Sequence, residues 1–559
     1  MGVRPAAALR DTLAAGYGRA DLRADVMAGL VVGIVALPLS MALAIASGVP
    51  PQHGLYTAIA AGTLIALLGG SRTQVSGPTA AFVVLLAPVS HQYGLAGLMV
   101  ASAMAGVILI AMGLGRMGRL VQFIPHPVTT GFTAGIAVVI ATLQLKDLLG
   151  LTVEAMPEHY VERVVALVGA LPTARWQDVA VGAGTLVVLR VWPRVTSRVP
   201  APLVALLAAT LVVQLAGVEV ATIGSRFSGG IPQVPPLPGL PWEQAGPDGK
   251  PLGLSLELLR ELFPSAFAIA MLGAIESLLS AVVSDGMAGT RHDPDAELFA
   301  QGMGNLVAPF FGGFAATGAI ARTATNIRAG GRSPIAAIVH AHFVLVAVLL
   351  LAPLLSYLPM AALSALLLLV AWNMSDAKHF AHVLRVAPKS DVFVQLTCFA
   401  LTVLFDMVVA VSAGVVLAAF LFMRRMAEIS GARLAEGEHP ALRQPLPRGV
   451  ILYEINGPLF FGAAEKAMGA LHDIASRARV VVLDVRSVPA MDATGLVNLE
   501  SVLEKLDAHG VEVLISGVQA QPRKLLEQAG LVGGEDPYAT FDTIEQAVEE
   551  AGRRAAGTA

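Results

Sequence analysis

The sequence predicts a polytopic α-helical membrane bundle followed by a small α/β domain. Three observations predict it. The 559 residues are 55% hydrophobic and only 14% charged, with a mean hydropathy of +0.70, whereas a soluble chain carries about 25% charged residues. Apolar stretches close to the ~20 residues that span a bilayer recur through most of the length. Beyond about residue 447 they stop, and strand-like runs alternate with helix-like ones.

In hydrocarbon every backbone polar group must be satisfied internally, so only helices or closed barrels cross it. These runs are too long and too uniformly apolar for barrel strands. Residues 1–24 are polar and carry Arg4, Arg10, Arg19 and Arg23. Apolar runs follow at 25–47, 53–69, 75–93, 95–114, 128–149, 177–193, 200–217, 257–284, 297–311, 318–327, 334–356, 357–374, 391–408 and 409–423, about fourteen, several of them short or broken. A Pro/Gly-rich connection at 219–255 separates the seventh from the eighth, where a bundle of two halves would be joined. The first run is too long for a signal-peptide core and is expected to stay as the first membrane helix. The arginine-rich start and Arg424-Arg425 after the last run are both expected on the cytoplasmic side, and an even number of spans agrees.

In the C-terminal part, Val450-Ile451-Leu452-Tyr453, 480–485 and 511–515 read as strands. Residues 463–475, 493–506 and 521–529 read as helices. Alternation over ~100 residues means a small α/β domain. The expected organisation is a cytoplasmic segment 1–24, a transmembrane domain 25–427, a linker 428–447 and a cytoplasmic domain 448–555. The net charge of −3 says little about partners, and no basic run suggests nucleic acid. Cys398 is the only cysteine, which excludes an internal disulfide and a cysteine-based metal site. With no P-loop, no dinucleotide fingerprint and no nucleophile–base pair, neither an enzyme nor a cofactor is expected.

Two apolar runs are interrupted in the same way. One reads Gly69-Gly70-Ser71-Arg72-Thr73-Gln74-Val75-Ser76-Gly77-Pro78-Thr79, the other Gly312-Gly313-Phe314-Ala315-Ala316-Thr317-Gly318-Ala319-Ile320-Ala321-Arg322. In each, a Gly pair precedes a short extended stretch, and a small polar residue with Gly then opens a short helix. Matching Gly/Pro-interrupted segments in the two halves of a bundle point to a midplane binding site. Each helix start offers free N–H groups and the positive end of a dipole. Two such ends facing each other would cradle an anion, and Arg322 would add a full charge. The plainer reading is that the glycines only let helices pack closely. Glu276 lies deep in an apolar helix, where a charge costs on the order of 3 kcal/mol. It either takes up a proton when an anion arrives or neutralises Arg322 as an ion pair. Ser76 and Thr79 would bind a ligand or cap the helix. Asp406 and Lys146-Asp147 read as helix-end residues. His340 and His342, two apart on a helix, face different ways and do not form a metal pair. Asp492 reads as the N-cap of the helix that follows it, and a phosphate on Thr494 would be favoured near that helix start.

With these residues in view, the chain resembles the sulfate permease (SulP) anion transporter family from end to end. The resemblance is carried by 25–70 with Pro50-Pro51-Gln52-His53-Gly54-Leu55-Tyr56, by Ser76-Gly77-Pro78-Thr79, by Glu276-Ser277-Leu278-Leu279 and by Gly302-Met303-Gly304-Asn305. The C-terminal domain resembles the STAS domain of that family. Within the family, the transmembrane stretches 271–279 and 360–375 are similar to the bacterial branch that carries four-carbon dicarboxylates. The resemblance implies seven plus seven inverted repeats, a core domain moving against a gate domain, and a homodimer in the bacterial inner membrane with both termini cytoplasmic. It implies proton-driven uptake of succinate, fumarate or aspartate, with sulfate or sodium-coupled bicarbonate as the alternative. A membrane sensor signalling through a cytoplasmic partner of the STAS domain is the alternative of another class.

By resemblance, the substrate-binding positions are Ser76, Gly77, Thr79, Gly318, Ala319, Ile320, Ala321, Arg322 and, on the first helix, Ser40. Ala36 and Leu39 stand where animal members often have glutamines that touch the anion. Thr79 stands where many relatives have an aromatic residue. Ala321 and Arg322 match a serine–arginine pair of which only the arginine is kept. Glu276 matches the acid of the eighth segment and is the expected proton-coupling residue. Thr494 matches the phosphoacceptor of stand-alone STAS proteins. No metal is implied.

Overall fold

Each of the fourteen apolar stretches is helical over most of its length in the computed structural model. It describes residues 3–557 except 120–124, 154–155, 158, 197–198, 228, 406, 436–438, 440–441, 443, 461–463, 465–477 and 534–536. The chain divides into two compact units, Met1–Val415 and Val416–Ala559.

The first unit starts with α1 (Ala7–Ala14), α2 (Arg19–Ala46), α3 (Pro51–Leu68), strand β1 (Ser76–Gly77), α4 (Ala80–Leu114), α5 (His126–Leu149), α6 (Tyr160–Gly169), α7 (Trp176–Val195), α8 (Ala201–Leu215) and the short α9 (Ile223–Arg226). It continues with α10 (Leu256–Ala288), α11 (Pro294–Val307), β2 (Thr317–Gly318), α12 (Ile320–Arg328), α13 (Pro334–Leu355), α14 (Met360–Ser375), α15 (Ala377–Val386) and α16 (Lys389–Leu404). Helix α17 (Met407–Ile429) leads from the first unit into the second. Seven of the described helices are long and apolar enough to cross a membrane. Proline stands in the first turn of α3, α5, α8, α11 and α13, where its missing N–H has no partner to lose and its fixed φ suits a helix.

The third and fourth apolar runs form one helix, α4, broken at Gly94 (φ 67°, ψ −167°). A Cβ on Gly94 would lie 2.6 Å from the backbone of Gly246, so only glycine fits both the angle and the space. With α4 counted as two legs, both halves have the same order: two helices, a two-residue strand, a short helix, then four more crossings. Strands β1 and β2 pair antiparallel, so the two copies are inverted relative to each other. Two groups of helices pack within the unit. Helices α2, α3, α4, α10, α11, α12 and α13 form the core, and α5, α7, α8, α14 and α16 form the gate. Asp406 lies outside the described residues.

In the second unit the sheet order is β3-β4-β5-β6-β7, with β3 (Gly431–Ala435) antiparallel to β4 (Val450–Asn456), and with β5 (Val480–Ser487), β6 (Glu512–Ser516) and β7 (Ala539–Phe541) all parallel. Strand β3 falls inside the stretch expected to be a linker, so the sheet reaches back to Gly431. Side chains alternate along the strands. Ile451, Tyr453, Leu483, Val485, Val513 and Ile515 bury one face under α18 (Ala493–Ala508) and α19 (Ala520–Gln528). Leu452, Val480, Val482 and Leu514 bury the other under α20 (Ile544–Gly557). The strands and the helices from 493 and 521 match expectation; the helix read at 463–475 lies almost wholly outside the described residues. Asp492 Oδ1 accepts from Gly495 N at 2.7 Å as the N-cap of α18, and Thr494 is exposed in the first turn.

Candidate functional site

The two interrupted segments meet. Ser76 pairs with Gly318 and Gly77 with Thr317, and Ala319 N donates to Val75 O at 2.9 Å. The ladder stops because Pro78 has no N–H to give. Helix α4 then starts after an extended Thr79, and α12 after an extended Ala319. No side chain caps either start. The first-turn N–H groups and the positive dipole ends are therefore free of side-chain acceptors at two neighbouring points in the core.

Glu276 on α10 completes one side. Thr79 Oγ1 donates to Glu276 Oε2 at 3.0 Å. Helix α10 is held on β2 by Thr317, whose hydroxyl donates to Gly273 O at 3.1 Å. Arg322 is 2% exposed. Its Nη2 donates to the Pro78 carbonyl, while Nε and Nη1 have no hydrogen-bond partner among the described residues. The guanidinium thus reaches from α12 to the strand–helix junction of the other repeat. A Cβ on Gly77 would lie 2.5 Å from Nη1. The alternative of a Glu276–Arg322 ion pair is not realised: among the described residues neither is in a salt bridge.

The remaining expected positions divide. Gly77, Thr79, Gly318, Ala319 and Arg322 come together at the junction. Ile320 and Ala321 are exposed on the first turn of α12. The Ser76 hydroxyl is taken by Gln301 Nε2, 2.9 Å away, and neither Ser76 nor Thr79 caps α4. Ser40 is buried on α2 with its hydroxyl unpartnered, and no hydrogen bond ties it to the junction. His340 is buried and His342 exposed, on different faces as expected.

Sequence reasoning missed the support behind the junction. Glu297 is 1% exposed and accepts from Gly70 N (3.0 Å), Ser71 N (3.1 Å), Gln74 Nε2 (3.1 Å) and Gln301 Nε2 (3.0 Å). Asn305 holds the other repeat: Nδ2 donates to Ala316 O at 2.8 Å and Oδ1 accepts from Ala316 N at 2.7 Å. One helix, α11, therefore clamps the chain entering both strands. The signal was present as Glu297, Gln301 and Asn305, three polar residues at four-residue spacing on one helix face.

Facing, uncapped helix starts beside one arginine and one acid, within an apolar bundle, define a membrane carrier of anions. The profile of the sulfate permease family matches residues 22–398, and that of the STAS domain matches 443–548. The chain belongs to the sulfate permease family, and it is an anion transporter, not an enzyme. It is 42% identical to the putative sulfate transporter YvdB of Bacillus subtilis over 498 residues, covering 89% of this chain and 91% of that one. It is 31% identical to the bicarbonate transporter BicA of Picosynechococcus over 92% of each chain. The solved transmembrane domain of a cyanobacterial BicA superposes with a TM-score of 0.60 at 29% identity, covering 70% of this chain and 98% of that one. The murine Slc26a9 anion transporter in its inward-facing state superposes with a TM-score of 0.84, covering 98% and 94%. At 19% identity, that second likeness speaks for the fold.

Proposed function

We propose that this chain is a secondary active importer of small anions in the bacterial inner membrane, with both termini cytoplasmic, working as a homodimer. Backbone N–H groups at 77–79 and 318–320 hold one carboxylate or oxyanion end. The free N–H groups of Arg322 supply positive charge from behind Gly77. Glu276 carries a proton, so the anion does not meet an ionised carboxylate. The observation that carries this reading is the Glu276 carboxyl at the junction, hydrogen-bonded to Thr79 and in no salt bridge. The core then shifts against the gate like an elevator and opens the junction to the other side. The STAS domain regulates assembly through a cytoplasmic partner, with Thr494, exposed at the start of α18, as its phosphorylation site.

The substrates we place first are four-carbon dicarboxylates, on the likeness of 271–279 and 360–375 to that branch. The names of the relatives favour a second reading, sulfate or bicarbonate, and we take bicarbonate in that reading to be coupled to sodium. Labelled succinate uptake into proteoliposomes under an inward proton gradient, competed by fumarate, sulfate and bicarbonate with and without sodium, separates them. Uptake blocked by fumarate and not by sulfate supports the first. Sodium-dependent bicarbonate uptake without succinate uptake replaces it with the second.

A further inference from the structure

Helix α15 (Ala377–Val386) carries no acid and no fully buried residue. One face packs on the bundle. The rings of Phe380 and Phe399 on α16 have their centres 5.6 Å apart, and those of His379 and His126, at the start of α5, are 5.1 Å apart. The other face is basic. Lys378, His382 and Arg385 stand at i, i+4 and i+7, which makes one stripe along the helix, and all three are exposed. Lys389 is exposed just beyond, at the start of α16. Among the described residues none of these four is in a salt bridge. The acids nearest in sequence lie outside α15: Asp376 precedes it, and Asp391, in the first turn of α16, accepts from the Ser390 hydroxyl at 3.1 Å.

The surroundings of α15 are apolar. Trp372 near the end of α14, Val386 at the end of α15 and Phe393 near the start of α16 are each more than half exposed. An exposed tryptophan at the end of an apolar spanning helix is an aromatic anchor at headgroup level. This level is on the side where the chain begins. Four crossings, α2, α3 and the two legs of α4, bring the chain back to that side before α5 starts, and His126 at that start meets His379. The connection into α5, residues 115–125, holds Arg116 and Arg119 and no acid, as expected of a cytoplasmic loop. On the orientation proposed above, α15 therefore lies at the cytoplasmic leaflet, whose anionic lipids attract basic segments at the surface.

We propose that α15 is a docking surface for the headgroups of anionic phospholipids. It lies in the interface with Lys378, His382, Arg385 and Lys389 on the lipid phosphates, and with Trp372, Val386 and Phe393 against the acyl boundary. A helix with basic residues on its polar face and large apolar residues alongside takes this position, bound by apolar burial and by attraction to anionic lipid together. Helix α15 joins α14 to α16, two helices of the gate. Held by lipid, it fixes the gate at one depth, so that the core is the body that moves. The binding stands without the transport reading; only this purpose rests on it.

Two measurements on the full chain test it. In the first, W176F/W192F/W242F leaves Trp372 as the only tryptophan. The chain is placed in vesicles of phosphatidylcholine mixed with phosphatidylglycerol, one or the other brominated in its acyl chains, and quenching of Trp372 gives the relative affinity of the two lipids. Phosphatidylglycerol is expected to be preferred about fivefold at low salt. Adding K378Q/R385Q/K389Q is expected to remove the preference, and high ionic strength to reduce it, because exposed charges are screened. No preference with the stripe intact, the result if a protein surface covers α15, overturns the proposal. So does a preference that neither the triple substitution nor salt changes. The second measurement keeps all tryptophans. The wild-type chain and K378Q/R385Q/K389Q are extracted in mild detergent from vesicles holding both lipids in equal amounts, and the lipid that stays bound is identified by mass spectrometry. Excess phosphatidylglycerol on the wild-type chain that the variant lacks supports the surface, and equal composition on both overturns it. Both measurements read binding, so failure of this surface is told apart from failure of the transport reading.

Discussion

Replacing Glu276 by Gln isolates the proton. Gln is nearly isosteric and keeps an acceptor for the Thr79 hydroxyl, 3.0 Å from the carboxylate in the native chain. It cannot exchange a proton. The junction holds one such carboxyl, so coupling through it amounts to one proton per passage. One pH unit is worth ~1.4 kcal/mol, or a tenfold ratio. With the membrane potential clamped at zero, a gradient of two units therefore drives about hundredfold accumulation in wild-type proteoliposomes. In E276Q the ratio falls to about one, while exchange of internal for external anion persists, because the helix starts and Arg322 are untouched. The assay is the steady-state internal-to-external ratio of labelled anion, with counterflow as the control for folding. Accumulation beyond about tenfold in E276Q would refute the assignment of the proton to Glu276.

Four further outcomes follow from single contacts. G77A places a methyl 2.5 Å from Arg322 Nη1; overpacking of this kind costs about 1–3 kcal/mol, and transport should be lost while the protein still elutes as a folded species, whereas wild-type transport would mean that the guanidinium moves freely. E297Q puts an amide N–H₂ against some of the four donors that meet the carboxylate, at about 1–3 kcal/mol for each donor left unsatisfied, so its thermal midpoint should fall by several degrees and an unchanged midpoint would sink the clamp. D492A removes the cap on Gly495 N, about 1 kcal/mol, read as faster amide exchange in the first turn of α18. Burial, followed by the hydrogen bond to Asp25, pushes the Tyr17 phenol up to about 12; a group with a raised folded pKa stabilises below its unfolded value near 10 and loses that contribution as pH rises toward 12, so Y17F should flatten this part of the thermal-midpoint profile.

What the sequence revealed, and what it hid, follows from how each feature arises. The membrane helices were legible because their signal is local: each run must satisfy its own backbone in hydrocarbon. The two interruptions were legible because Gly and Pro break a pattern in the same way twice. The pairing of Ser76 with Gly318 spans more than two hundred residues, and only the likeness of the two interruptions pointed to it. The side-chain partners were not legible. That the Ser76 hydroxyl serves Gln301, and that Arg322 serves Pro78 O rather than Glu276, depends on the rotation of α11 and α12 about their axes, which periodicity does not fix at single polar positions. Glu297 is not legible because an acid in a first turn reads as a dipole partner, and nothing local shows that two backbone N–H groups from Gly70 and Ser71 converge on it. Strand β3 reads as linker in the sequence because its five residues, Gly431–Ala435, are too few and too little alternating to mark a strand, and only one of them is buried in the fold.

The polar network also bears on how the proposed carrier moves. The strand pair, the Arg322–Pro78 bond, and the α11 side chains holding both entering segments tie the two repeats together at the point where the anion would sit. Breaking any one buried member leaves a donor or acceptor unsatisfied in a low-dielectric interior, which is costly. The two helix starts therefore do not separate to release an anion. The give must lie elsewhere, and the seam between core and gate is the place with the means for it: it contains a cavity, and Ala42, Ala46, Ala87, Leu363 and Leu367 line it from both sides. Alanine and leucine side chains of this kind carry no hydrogen bonds and can slide past one another with little loss, whereas the hydrogen-bonded junction cannot. The argument favours a site carried intact with the core, and it predicts that a cross-link between residue pairs across the seam stops transport whereas one between β1 and β2 does not.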